Sequence, residues 1–268
     1  DDESLCLLLD LLGGISKKNL NILRLKTQEK IESKIDLKDL ESIWQKHLTT
    51  FEPIQHLIGF CYWRDLTLQI SNNVLIPRPE TEQIIEIIFE VFRNKDEEII
   101  FADLGTGSGA IAIALALANP LWQGFATDID KKALELANKN FSKLSNNSNL
   151  CFLLGNWWNP LENLKGKIDI AVSNPPYIPT CVYEELPIEV KNYEPEKALL
   201  GGEYGLDHIH QIIKDSPNYL KEKGWLFLEN HFDQGSRVKE LLLESGFTEI
   251  KVLKDFSGIG RFTIGRYK

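Results

Sequence analysis

The chain has 268 residues, 43% of them hydrophobic and 26% charged, which suits one α/β domain of roughly 190–200 residues plus a small accessory module. Its 30 basic and 39 acidic residues leave a net charge of −9, the wrong sign for a protein that lives on phosphate backbones, so nucleic acid is a disfavoured partner. No apolar run approaches the roughly 20 residues needed to span a bilayer, which excludes a membrane helix.

The chain opens on Asp1 and contains no methionine, so its natural start is expected to lie upstream. The apolar "LCLLLDLL" near the start is preceded by acidic residues and interrupted by Asp10, whereas a secretory signal needs a positively charged beginning; it reads as a buried helix. Helical spacing of apolar positions continues to about residue 50, with "SKKN" and "SKID" as junctions, giving a small helical module over residues 1–58. From Gly59 to Ile76 the pattern alternates: "CYWRDLTLQI" and then "NNVLI" predict a linking β-hairpin over 59–76, with "SNN" as its turn. Cys6, Cys61, Cys151 and Cys181 stand far apart without a CxxC pair, which argues against a zinc site or other metal and against a disulfide framework, and fits a reducing cytoplasm.

The rest, residues 77–268, alternates strands and helices. After "PRPET", the helix "EQIIEIIFEVF" is ended by the charged "RNKDEE". Strands follow at "IIFADL", "GFATDI", "LCFLLG", "IDIAVSN" and "GWLFLEN", separated by helices at "AIAIALALA", "KKALELANKNF" and "LDHIHQIIKDSPNYL". A last helix, "SRVKELLLESGF", precedes two strands, "EIKVLKD" and "RFTIGRY". Strands alternating with helices imply a parallel sheet covered on both faces.

"DLGTGSGA" at 103–110 follows the first of these strands and opens a helix. Gly105, Gly107 and Gly109 allow a sharp turn and close approach of a ligand. The GxGxG spacing departs from the GxGxxG of nicotinamide-binding folds, which points to another nucleoside. Asp128, at the end of the second strand, can accept hydrogen bonds from both ribose hydroxyls or cap the next helix, a task for which Asp130 is the better candidate. Asp103 reads equally as a ligand-ammonium contact or a turn cap. Trp157, in "GNWW" after the third strand, either packs on an adenine ring or belongs to the core and rim.

"NPPY" at 174–177 follows the fourth strand, opposite the glycine loop across the crevice where ligands of open parallel sheets lie. Pro175 and Pro176 lack an N–H, so this rigid segment presents carbonyl acceptors only, and Asn174 adds a side-chain carbonyl. Two fixed acceptors suit a planar NH2 group, an amide or an exocyclic aromatic amine, that the ring of Tyr177 can cover. A carboxylate would leave them unpaired, at roughly 1–3 kcal/mol per buried group.

With these features in place the chain resembles the class I S-adenosylmethionine-dependent methyltransferases of NPPY type. It is most similar to the peptide chain release factor N5-glutamine methyltransferases, through "EPIQHLIG", "VLIPRPETE", "DLGTGSGAIAIALA", "NPPYIP", "EPEKALLGGEYGLD" and "KDFSGIGR" in that order. The resemblance spans nearly the whole chain. It implies a Rossmann-like seven-stranded sheet, mostly parallel with the last strand antiparallel, and a small N-terminal helical domain that docks the substrate, here shortened at its start. It implies methyl transfer from S-adenosylmethionine, leaving S-adenosylhomocysteine, to the side-chain amide nitrogen of glutamine in the GGQ tripeptide of class 1 release factors. Gly105, Thr106, Gly107, Ser108 and Gly109 match the family's cofactor loop, Asp128 its ribose-binding acid and Trp157 its adenine-side aromatic. Asn174, Pro175, Pro176 and Tyr177 match its substrate clamp, with Asn174 also beside the cofactor. Asn156 stands where many members carry Asp.

An adenine- or cytosine-directed amino methyltransferase is the main alternative, because an exocyclic amine presents the same two hydrogens; a nucleotide-binding interaction protein or a dehydrogenase would not explain the clamp. His56, His208, His210 and His231 read as surface or core histidines rather than bases. Arg78 and Glu80 in "PRPET" are expected either to form an ion pair anchoring the hairpin or to contact cofactor or substrate.

Overall fold

In the main sheet alternate residues of a single strand face opposite cores, so every strand serves two layers at once. The computed structural model describes residues 2–25, 30, 32–93 and 98–268; most of "RNKDEE" lies outside them. The chain begins with helices Asp2–Leu11, Lys17–Leu25, Leu37–Thr50 and Ile54–Ile58, which bury Leu8, Leu40, Ile54 and Ile58 in a small core of their own. Asp36 caps the third of these by accepting the Lys38 N–H at 2.9 Å.

The hairpin corrects the sequence reading. Strands β1 (Phe60–Trp63) and β2 (Leu66–Gln69) pair antiparallel with Trp63 opposite Leu66, so the turn is Arg64–Asp65 and not "SNN". Arg64 adopts φ 53°, a left-handed conformation that local sequence does not favour. It is held from outside: its N–H donates to Glu82 Oε1 at 2.8 Å and its guanidinium pairs with Glu86 at 2.7 Å. "NNVLI" is then an irregular extended segment that buries Val74 and Ile76.

The sheet comprises β3 (Ile100–Leu104), β4 (Gln123–Asp128), β5 (Leu150–Leu154), β6 (Ile168–Ser173), β7 (Leu220–Glu229), β8 (Phe247–Lys254) and β9 (Gly260–Tyr267). Their order is β5-β4-β3-β6-β7-β9-β8, and β9 alone runs against its neighbours, as the resemblance implied. Phe101, Ile170, Val172 and Phe227 face one core, while Ala102, Leu104, Ala171, Leu226 and Leu228 face the other, the period-two alternation of a strand buried on both sides. The helix Ala110–Ala118 is buried over nearly its whole length, which is why its sequence is apolar all round. Strand order reverses between β3 and β6, so their carboxyl ends open the crevice in which ligands of such sheets bind.

Among the described residues no helix is long and apolar enough to cross a membrane. Short helices at Thr180–Glu184 and Ile188–Lys191, unmarked by any periodicity, fill the stretch after the clamp.

Candidate active site

The glycine loop leaves β3 with Gly105, Gly107 and Gly109 at φ 76°, 56° and 86°, where a side chain is strained. Gly105 and Thr106 donate their N–H groups to the Thr127 carbonyl, each at 2.9 Å, binding the loop to β4. A Cβ on Gly105 would stand 2.8 Å from the Trp157 ring, and one on Gly109 3.0 Å from Ala137. Gly107 differs: nothing lies within 4 Å of where its Cβ would be, so its bare backbone borders open space. That space is a cleft of about 250 Å³ lined by Gly105, Thr106, Gly107, Ser108, Asp128, Asn156, Trp157, Asn174 and Pro176 among others. Gly109, Pro175 and Tyr177 do not line it; Gly109 packs under the loop instead.

Asp128 accepts the Gly107 N–H at 2.9 Å on one carboxylate oxygen and the Asp130 N–H at 2.8 Å on the other. Each oxygen keeps a lone pair for a further donor. Burial raises its pKa, an effect opposed by those two N–H donors. Asp130 is the helix cap, accepting the Lys132 N–H at 2.7 Å, and it pairs with Lys197. The two tryptophans divide similarly. Trp158 is buried, stacks on Tyr219 at 4.9 Å and donates its indole N–H to the Ile212 carbonyl at 3.0 Å. Trp157 stands at the cleft with φ 47°, its carbonyl held by the Thr127 hydroxyl at 2.9 Å. A bulky residue in that conformation is costly and persists only where its surroundings impose it.

The opposite wall comes from the hairpin and the segment after it. Trp63, Val74, Leu75, Pro77 and Arg78 line the cleft, so the segment read from sequence as a linking hairpin supplies Trp63, Val74 and Leu75 to the site. Asn140 fastens the wall to the glycine loop: it accepts the Gln69 N–H at 2.8 Å and donates to the carbonyls of Gln69 and Ser108 at 2.9 and 3.0 Å. Arg78 finds its ion-pair partner in Glu194 at 2.6 Å rather than in Glu80. Burial raises the pKa of Glu194, with Arg78 opposing. His208 lines the cleft with its ring 5.5 Å from that of Trp157, whereas His210 is exposed and His231 bonds to Asp233 at 2.7 Å. Both ring nitrogens of His56 are buried, and burial lowers its pKa.

Asn174 emerges from β6 beside this cleft. Its side-chain NH2 donates to the Thr81 hydroxyl at 3.1 Å, which donates to Glu229 at 2.7 Å; the Tyr177 hydroxyl donates to the other oxygen of Glu229 at 3.0 Å. Burial of Glu229 raises its pKa against the pull of these hydroxyls and of Arg261. Burial and the Glu229 charge also raise that of Tyr177, so the phenol stays a donor. The backbone of the clamp is stitched to "LLGGEYG": Ile178 donates to the Leu199 carbonyl and Gly201 to that of Ile178, each at 2.9 Å. A Cβ on Gly205 would sit 2.2 Å from the Tyr177 carbonyl, and one on Gly201 2.8 Å from that of Pro176.

Asp103 lies behind the loop, accepting the Thr106 hydroxyl at 2.6 Å and the Ala112 N–H at 3.2 Å on one oxygen. Its other oxygen is buried without a partner, and burial pushes its pKa up to about 7 from 3.8. The folded state therefore holds this proton more tightly than the unfolded chain. The stability this group contributes is fully present below the unfolded value and is lost as pH rises through about 7. Urea midpoints should show wild type gaining on Asp103→Asn as pH falls from about 8 to about 5; a flat difference would refute the raised proton affinity.

The model of the methyltransferase small domain family matches residues 83–183, from the helix before β3 to just past the clamp. A release factor glutamine methyltransferase of Prochlorococcus marinus is 41% identical over 259 residues, covering 95% of this chain and 87% of the relative. The chain belongs to the release factor glutamine methyltransferase family. A member from Thermosynechococcus vestitus is 39% identical over 254 residues, with 94% and 87% covered. The family's methyltransferase fold also appears in the solved hMettl16 catalytic domain in complex with the MAT2A 3′UTR hairpin 6. Its TM-score is 0.63 at 17% identity, with 88% of this chain and 93% of that one covered; the likeness concerns the fold alone. In this family member Gly105 to Ser108, Asp128, Trp157, Asn174 and Pro176 converge on one cleft, joined by Thr81, His208 and the hairpin wall, with Glu229 behind Thr81.

Proposed function

We propose that this chain transfers a methyl group from S-adenosylmethionine to the side-chain amide nitrogen of the glutamine in the GGQ motif of class 1 release factors. The observation that carries this reading is the orientation of Asn174, whose NH2 is committed to Thr81 so that its carbonyl oxygen is left for another donor. The cleft residues fit the cofactor: the bare Gly107 backbone admits it, Asp128 has a lone pair for each ribose hydroxyl, and Trp157 offers a ring face to adenine. Asn156 supplies a neutral hydrogen bond there, weaker than the charged one an Asp would give. When bound, S-adenosylmethionine supplies an electrophilic methyl group on its sulfonium.

The protein's part is to orient a weak nucleophile. An amide nitrogen is poor because its lone pair is delocalised. Asn174 Oδ1 and the Pro175 carbonyl accept its two hydrogens, which raises electron density on nitrogen and aims it, so positioning and electrostatics carry the rate. Pro176 keeps the turn rigid and Tyr177 covers the planar group, its hydroxyl anchored on Glu229. With the cofactor held by the glycine loop, Asp128 and Trp157, the nitrogen oriented by the clamp would take the methyl group in exchange for the S–C bond, and the amide proton would pass to solvent. Residues 1–58 dock the release factor, and 77–268 form the catalytic domain with the hairpin at 59–76 as its wall. Four free cysteines suit a reducing cytoplasm.

Incubation with labelled S-adenosylmethionine should label a release factor carrying GGQ and leave its Gln→Glu variant unlabelled. Label in both, or label only in DNA or ribosomal RNA offered alongside, would overturn the reading in favour of a nucleobase or another acceptor.

A further inference from the structure

Nothing local in the sequence singles out Thr81 or Glu229, which lie 93 and 55 residues from Asn174 along the chain, yet together they decide which way its amide faces. An asparagine side chain can flip by half a turn, exchanging an acceptor for a donor with almost no change of shape. In the clamp that exchange would be decisive, because an NH2 group aimed at the substrate's NH2 would oppose donor to donor.

The network removes the choice. Glu229 is 1% exposed, and both of its side-chain oxygens serve as acceptors. It takes the single hydroxyl hydrogen of Thr81 at 2.7 Å and that of Tyr177 at 3.0 Å. With its hydrogen directed to Glu229, Thr81 Oγ1 can only accept from Asn174, which sits 3.1 Å away. The Asn174 NH2 must therefore point at Thr81, and Oδ1 must point elsewhere. A flipped amide would set one oxygen against another that has no hydrogen to offer, with the penalty of unmade buried hydrogen bonds. We infer that Thr81 and Glu229 are positioning residues that fix the flip state of Asn174, and thereby make the site accept a carboxamide and reject a carboxylate. This inference rests on the proposed function for its substrate. Its geometry rests on the clamp that follows β6, on the end of β7 and on the short 3-10 helix Pro79–Glu82.

The test compares Thr81→Val, which keeps the shape and removes the hydroxyl, with Thr81→Ser, which restores it. With a GGQ release factor, kcat for Thr81→Val should fall about 100-fold, the scale of a misoriented reacting group, while KM for S-adenosylmethionine stays within about threefold. Thr81→Ser should retain most of the wild-type rate. Independently of any substrate, the side-chain amide hydrogens of Asn174, followed by NMR in the 15N-labelled protein, should exchange faster with solvent in Thr81→Val than in wild type or Thr81→Ser. Thr81→Ala repeats both measurements if the valine variant shows no cooperative unfolding. Unchanged kcat in Thr81→Val, or a serine variant as impaired as the valine one, would overturn the inference. A wild-type protein that does not label the release factor would defeat the functional reading instead; amide exchange then decides the network alone, faster exchange upholding it and equal exchange refuting it.

Discussion

Asn174→Ala should lower methyl transfer to the GGQ glutamine by roughly 10²–10³-fold, the usual effect of deleting one preorganised polar contact to a reacting group. Cofactor affinity should change by no more than about tenfold, the worth of one neutral hydrogen bond. The separation follows from the geometry. Asn174 stands at the cleft edge on the carboxyl end of β6, and its NH2 bonds across to Thr81. The loop that borders the open space is instead held by Thr127 and Asp128. Single-turnover rates with saturating cofactor, set beside calorimetric titration of S-adenosylhomocysteine, measure the two effects apart. Equal losses in both would assign Asn174 to cofactor binding and remove the clamp from the mechanism.

Asp128→Ala should have the opposite profile, weakening cofactor binding by about 100- to 10,000-fold. Two hydrogen bonds from ribose hydroxyls to a carboxylate are each worth about 1.5–3 kcal/mol. The same substitution strips the Gly107 and Asp130 N–H groups of their acceptor, so the loop loses an internal support as well. Asp128→Asn keeps an acceptor for one of these N–H groups and should fall between alanine and wild type. A calorimetric titration in which all three proteins bind S-adenosylhomocysteine alike would show that Asp128 only braces the loop.

The fold was legible because its signals are local. β3 to β9 and the longer helices between them announce themselves by period, the glycines by spacing, and the division of labour between Asp128 and Asp130 by the capping rule. What escaped depends on contacts distant in sequence. Arg64 turns the hairpin because Glu82 and Glu86 hold it, whereas composition alone favours the more turn-like "SNN". The partner of Arg78 lies 116 residues away, and Thr81 meets Glu229 across 148. His208 sits at the cleft only because the helix Asp207–Asp215 packs beside Trp157. None of these pairings leaves a mark within a window of neighbouring residues.

The hairpin wall also determines where this chain can be cut. Domain boundaries ordinarily fall in exposed linkers that few contacts cross, but here Trp63 and Leu68, within the connecting segment, are fully buried. A fragment trimmed to residues 83–183, the stretch matched by the family model, would keep the glycine loop and the clamp tetrapeptide. It would lose Trp63, Val74, Leu75, Arg78 and Thr81 from one flank of the cleft and Glu229 from the far strand. The smallest piece able to enclose a ligand must therefore begin ahead of Phe60 and run past the end of β7 at Glu229, well beyond both ends of the matched stretch.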